Sequence, residues 1–147
     1  MAAIRELDEQ ETYLAYPALL ELRPHLGSRD EVVKLVNTVQ RPEGYRLVGS
    51  FEDDIEDAAA IAGFRISHNL AWGHFLYVDD LSTCAAFRQR GHAARLMQWL
   101  DVEAHRLGCD QFHLDSGVHR HDAHRLYLNQ HMLINAHHFA RVILLSQ

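Results

Sequence analysis

Residues 75–108 change their hydrophobic period once, across a single glycine, and this change constrains the fold more than any other feature of the chain. From Phe75 to Thr83 the residues alternate, with Phe75, Tyr77 and Asp79 on one parity and Leu76, Val78 and Asp80 on the other, as in a strand. Beyond Gly91, the apolar residues Ala93, Leu96, Met97, Leu100, Ala104 and Leu107 recur on one stripe, as in a long helix. Gly108 suits its C-terminal cap. Residues 111–115 read as a further short strand. A strand, a helix and a strand in that order form a β-α-β crossover.

The flanking sequence adds antiparallel pieces. Residues 3–7 read as a first strand. Residues 11–22 have helical spacing, but Pro17 interrupts them and predicts two shorter pieces. Ser28 and Glu31 form a capping box ahead of Val32, Leu35, Val36 and Val39, and Pro42 with Gly44 stops that run. Two strand-like stretches follow, 45–51 and 58–66, joined by the acidic run 52–57 as a hairpin turn. Residues 122–129 predict a short helix, and residues 132–145 an apolar, strand-like end. The order β, helices, β-β-β, α, β, α, β gives the fold class α/β, with a mixed sheet. The length of 147 residues suits a single domain over residues 1–147.

The loop between the alternating strand and the long helix carries the chemistry. It reads Arg88-Gln89-Arg90-Gly91-His92-Ala93. A helix start offers unpaired N–H groups and partial positive charge. Gly91 has no Cβ and lets an anion approach the backbone, and Arg88 and Arg90 add full positive charges; the combination suits a diphosphate. The nucleotide-hydrolase phosphate loop is excluded because no Gly-Lys-Ser/Thr is present. The dinucleotide fingerprint is excluded because there is only one glycine.

These six residues resemble the Gln/Arg-x-x-Gly-x-Gly/Ala signature of the GNAT superfamily of N-acetyltransferases. The context strengthens the resemblance: the strand Tyr77-Val78-Asp79-Asp80-Leu81 precedes the signature, the helix Leu96-Met97-Gln98-Trp99-Leu100 follows it, and Ala123-His124-Arg125-Leu126-Tyr127 looks like the family's Ala-x-x-x-Tyr segment. The resemblance implies a mixed, mostly antiparallel sheet with the crossover at its centre and helices on both faces. It also implies a bulged fourth strand splayed from the fifth. It implies acetyl-CoA as co-substrate and an amine acceptor, joined in a ternary complex without a covalent enzyme intermediate.

By the same resemblance, Arg88, Gln89, Arg90, Gly91, His92 and Ala93 would hold the diphosphate. Leu81, Ser82 and Thr83 would hold the pantetheine arm and the acetyl carbonyl, with a backbone N–H near Leu81 at the oxyanion. Tyr127 would protonate the leaving thiolate, and Asp115 would serve as general base. Asp79 and Asp80 are the other carboxylates on offer, at the acceptor; strand alternation predicts that only one of them faces the cleft. Arg120 stands where the family often has Asn; either its guanidinium would contact CoA or that contact would be lost. Ala93 stands where many members have Gly, a change that the pattern tolerates.

Charge and composition bound the alternatives. Residues 1–60 carry a net charge of −7 and residues 61–147 one of +1. The acidic front would attract a cationic substrate or simply form a solvated surface. The neutral back half, in a chain whose single lysine is Lys34, argues against nucleic acid. Two cysteines, Cys84 and Cys109, are too few for a disulfide-framed secreted domain. No apolar run reaches the roughly 18 to 20 residues of a membrane span, and the charged N-terminal residues lack a signal-peptide core. The expected location is cytoplasmic. Seven histidines lie between residues 113 and 138, and His121 with His124 would share a helix face. Such a pair needs a third ligand to hold a metal, so no metal is expected, and a His-rich metal-binding protein stays the lesser alternative. A catalytically silent acyl-CoA-binding module is the other. Residues 139–145 are apolar enough for a homodimer interface or a buried strand.

Overall fold

The computed structural model describes residues 3–143. They fall into two compact units, one up to Leu114 and the other from Asp115 onward. The first unit is built on a five-stranded sheet in the order β1-β2-β3-β4-β5. Its strands are β1 (Ala3–Leu7), β2 (Arg46–Phe51), β3 (Ala60–Asn69), β4 (Gly73–Thr83) and β5 (Gln111–Leu114). The first three pairings are antiparallel, and β5 joins β4 in parallel. The mixed sheet and its crossover are therefore as the sequence predicts.

The helices form where local chemistry provides for their ends. Asp8 caps a 3-10 turn over Glu9–Ala15, with Glu11 completing the capping box, and α1 (Tyr16–Leu22) follows with Pro17 in its first turn. Proline is tolerated there because those N–H groups have no intrahelical partner, so the interrupted run becomes two pieces. Ser28 and Glu31 form the predicted box at the start of α2 (Arg29–Leu35). After α2 the chain widens into a π-turn, tightens into a 3-10 turn, and ends at left-handed Gly44. The crossover helix α3 (His92–Arg106) ends in a Schellman motif: Gly108 N–H donates to His105 C=O and Cys109 N–H to Ala104 C=O.

The two sheet faces are covered differently. On one, Leu47, Phe51 and Ile61 pack with Leu14, Ala18, Leu19, Val32 and Val36 of the front helical segments. On the other, buried Phe64 meets Trp99 of α3 edge-on, with ring centroids 5.9 Å apart. The opposite parity of β2 faces α3: Arg46 reaches Glu103 and Ser50 reaches His92.

The second unit contains α4 (His121–Asn129) and the residues after it. Here one expectation fails. Residues 132–143 form no strand, and Leu133, Ile134, Phe139 and Val142 are exposed. Apolar composition alone does not make a strand; its N–H and C=O groups need a ladder partner, and none is recorded for this segment among the described residues. Residues 144 and 145 of the predicted strand lie outside the described residues.

Candidate active site

The geometry begins at a bulge. Phe64 stands opposite Val78 and Gly63 opposite Asp80, so Asp79 is one surplus residue in β4. The pairing of β4 with β5 runs from Phe75 to Val78 and stops there. Beyond the bulge, Leu81, Ser82 and Thr83 keep their β3 partners Ala62, Ile61 and Ala60 but have no ladder to β5. The residues expected to hold pantetheine thus lie beyond the end of the β4–β5 ladder.

The bulge also changes where the two aspartates point. Arg65 grips Asp79 with two bonds, of 2.8 and 2.9 Å. The Tyr45 hydroxyl donates to Asp80 Oδ2 at 2.8 Å, and Arg23 Nε donates to Asp80 Oδ1 at 3.1 Å. Tyr45 lies over the Cβ direction of Gly63, the parity that Arg65 shares in β3, so both carboxylates are met from the same sheet face. Strict alternation would part neighbouring side chains, but the surplus residue breaks it and leaves both on one face. Burial, with the Asp80 charge beside it, pushes the Tyr45 phenol well above its usual range, so it stays a donor. Arg23 Nη2 also donates to the Asp79 carbonyl, tying the end of α1 to the bulge.

The loop after β4 is held from both sides. Ala85 N–H donates to Glu21 Oε1 at 3.2 Å, and Arg88 lies 3.7 Å from the same carboxylate. Arg90 Nη1 lies 2.7 Å from Glu52 Oε1. More than half of each arginine side chain is still exposed, 58% for Arg88 and 54% for Arg90. Gln89 and Gly91 both have positive φ, 63° and 83°. Gly91 is the N-cap of α3 and has no side chain with which to cap it, unlike Asp8 and Ser28 at their helix starts. The first-turn N–H groups of His92, Ala93 and Ala94 are those that a helix cannot satisfy itself. The residues present therefore fit a diphosphate: backbone donors, two cations and no Cβ at the point of closest approach. His92 would contribute only its backbone, because its ring is buried against Ser50 and Glu52.

Cys84 lies just past β4. Burial raises its thiol above the usual value, and Glu21 and Asp57 push the same way. A cavity of about 440 Å3 lies near Glu6, Asp8, Glu9, Glu11, Arg41 and Tyr45. Within it, Glu11 is paired with Arg5, and Glu6 with Arg46.

In the second unit, Asp115 immediately follows β5 and lies 3.1 Å from His138 Nδ1. Arg120 stands at the N-cap of α4, its N–H donating to Gly117 C=O. Tyr127 is buried, and burial raises its phenol above 10, with Arg120 pulling weakly the other way. His121 and His124 do lie together, with ring centroids 6.0 Å apart, and His124 Nε2 is 2.7 Å from Gly117 O. Among the described residues no group of three or more His, Cys, Asp or Glu is arranged to hold a metal ion.

Comparison with known proteins gives this arrangement its relatives. The family model described as the Acetyltransferase (GNAT) family matches residues 2–132. A Bacillus subtilis (strain 168) protein named uncharacterized N-acetyltransferase YhdJ is 30% identical over 131 residues, covering 88% of this chain and 90% of that protein. The chain belongs to the GNAT acetyltransferase family. Solved structures agree on the fold. A Trypanosoma brucei acetyltransferase superposes with a TM-score of 0.80 at 16% identity, over 97% of this chain and 100% of the other. An aminoglycoside N-acetyltransferase in complex with CoA gives 0.76 at 15% identity, over 100% of this chain and 95% of its own. Among the described residues no helix is long and apolar enough to cross a membrane.

Reading the chain alone misses Glu52, Tyr45, Arg23, Glu21, Arg65 and Arg95. Glu52 is the first carboxylate of the acidic run, which reads as a solvated turn. Its middle, Asp53 to Glu56, is exposed, while Glu52 and Asp57 at its ends are drawn inward to Arg90 and Arg29. No local signal separates the ends of that run from its middle.

Proposed function

We propose that this GNAT member is an acetyl-CoA-dependent N-acetyltransferase that moves an acetyl group to the primary amine of a small molecule, by direct attack in a ternary complex. The observation that carries the reading is the coincidence at Val78 and Asp79. The bulge and the last β4–β5 pair fall on adjacent residues, and the stretch of β4 beyond that ladder leads to a helix whose N-cap is Gly91, with exposed Arg88 and Arg90 just before it.

In this reading the backbone of residues 88–93, with Arg88, Gln89, Arg90, Gly91, His92 and Ala93, holds the diphosphate, and Arg120 adds a contact to CoA. The stretch at Leu81, Ser82 and Thr83 hydrogen-bonds the pantetheine arm, and a backbone N–H near Leu81 faces the acetyl oxygen, where negative charge grows during attack. Asp115 takes a proton from the acceptor ammonium, whose pKa near ~10.4 otherwise keeps it protonated. Asp79 and Asp80 supply negative charge on the acceptor side. Tyr127 donates its proton to the departing thiolate. The whole chain, 1–147, acts as one catalytic domain in the cytoplasm, as a two-fold dimer.

Titration calorimetry with acetyl-CoA, on wild type and on the Arg88→Ala/Arg90→Ala variant, tests the reading, together with a turnover screen over small amines. Micromolar binding that weakens in the variant, with turnover of an amine, is expected. Binding without turnover of any amine would make the chain a silent acyl-CoA-binding module. No binding would overturn both.

A further inference from the structure

Glu52, the residue directly after β2, divides its carboxylate between two partners. Oε1 lies 2.7 Å from Arg90 Nη1, and Oε2 lies 2.8 Å from His92 Nε2. A carboxylate only accepts, so Nε2 carries the hydrogen of the second bond. The other ring nitrogen, Nδ1, is 2.6 Å from Ser50 Oγ and 3.4 Å from Arg95 Nη2. Two donors face it, and it accepts. His92 is the first residue of α3 and 2% exposed, and Ser50 is fully buried in β2. The end of β2 is thereby bolted to the first turn of α3 by a chain of side chains.

The loop needs such a bolt. Gln89 holds a left-handed φ of 63° without being glycine, which L side chains disfavour. The N-cap of α3 is Gly91, which has no side chain, so the turn before it lacks the usual local restraint of a capping residue. The contacts that hold its shape come from outside: Glu52 on the Arg90 side chain, and Arg95 Nη2 donating to the Arg90 carbonyl at 2.9 Å. The placement of Glu52 also has an electrostatic disadvantage, because a negative charge one guanidinium away opposes an incoming diphosphate. Charge alone therefore predicts tighter diphosphate binding when Glu52 is removed. Geometry predicts the opposite.

We propose that Glu52 is a positioning residue for the diphosphate of acetyl-CoA, acting through Arg90 and His92 to hold residues 88–93 ready for the anion. This rests on the reading that the diphosphate sits on those residues. Glu52 does not touch the reacting atoms. Its effect falls on capture of the co-substrate, not on the transfer step.

The test measures acetyl-CoA Kd by calorimetry, KM and kcat with the best amine of the screen, and Tm. The proteins are wild type, Glu52→Ala, Glu52→Gln, Arg90→Ala and Glu52→Ala/Arg90→Ala. Glu52→Ala is expected to raise Kd and KM for acetyl-CoA on the order of tenfold while kcat changes less than about twofold. Glu52→Gln keeps the shape and an acceptor oxygen and is expected to fall between. The double variant should lose less than the product of the single losses, because both act on one guanidinium. If Glu52→Ala fails to fold, Glu52→Gln decides. Unchanged or tighter acetyl-CoA binding in a folded Glu52 variant overturns the proposal, and so does a lowered Tm with unchanged Kd. In both cases weakened binding by Arg90→Ala leaves the diphosphate placement standing. If Arg90→Ala and Arg88→Ala/Arg90→Ala leave the wild-type affinity unchanged, the placement itself is wrong and this inference falls with it.

Discussion

The Tyr45 hydroxyl occupies the space that a side chain at residue 63 would need: a Cβ built on Gly63 would lie 1.8 Å from Tyr45 Oη and 2.3 Å from its Cζ. Glycine at 63 is what lets a buried phenol cross β3 and reach Asp80. Gly63→Ala should therefore cost about 1–3 kcal/mol through overpacking, read from urea unfolding midpoints. Tyr45→Phe, which keeps the ring and loses the hydrogen bond, should cost roughly 1–2 kcal/mol. Tyr45→Phe should not rescue Gly63→Ala, because the ring carbon itself collides.

Gly91→Ala acts at the other special glycine. Its φ of 83° is disfavoured for L side chains, and an added Cβ would meet Arg95 Nη1 at 2.8 Å. The arginine end can swing aside, so the backbone strain of about 1–2 kcal/mol dominates. Acetyl-CoA affinity should fall together with Tm, and titration calorimetry with thermal melting reads both.

Stability at low pH should report the Glu103 cluster. Arg106, and behind it Arg46, hold the Glu103 carboxyl down to about 2 from an ordinary 4.5, against the opposing effect of burial. A depressed carboxylate contributes stability that is present above its unfolded pKa and is lost as pH falls through the folded one. Glu103→Gln should cost on the order of 2 kcal/mol at neutral pH. The gap to wild type should narrow between pH 4.5 and about 2, as read by denaturant melts across that range.

Ser28→Ala separates folding from function. The Ser28 side chain accepts the Glu31 N–H at 3.2 Å in the α2 capping box. Its loss should cost about 1 kcal/mol and leave the acetyl-CoA Kd unchanged in the same calorimetry.

Tyr127→Phe tests the proposed acid. Burial lifts this phenol above 10, so it keeps its proton throughout the neutral range. The variant should lose on the order of ten- to a hundredfold in kcat, with little change in KM for acetyl-CoA. The wild-type kcat profile should show no fall from this group below about pH 10.

The legible parts of the chain are those whose determinants sit within a few residues of one another. Ser28 and Glu31, Pro17 in a first turn, and Gly91 and Gly108 at the two ends of α3 all act over about one helical turn. The signature loop was readable for the same reason. The paired facing of Asp79 and Asp80 was not, because a bulge is a mismatch between two strands and neither strand shows it alone. The role of Glu52 was hidden by distance, since Arg90 and His92 lie 38 and 40 residues further along. Residues 132–143 misled for a related reason: an apolar segment reads as a strand whether or not a ladder partner waits for it.

Asp79 is one residue of surplus length, and the opening beside it depends on that count more than on the aspartate. Any side chain there keeps two residues of β4 facing one of β3. Removing the residue would instead let Val78 and Asp80 follow one another along an unbroken ladder, and β5 could zip onward past Val78. The shorter protein would have the more regular sheet and, on the proposed reading, no gap for the co-substrate, so insertions and deletions, more than substitutions, are the mutations this strand is least able to absorb.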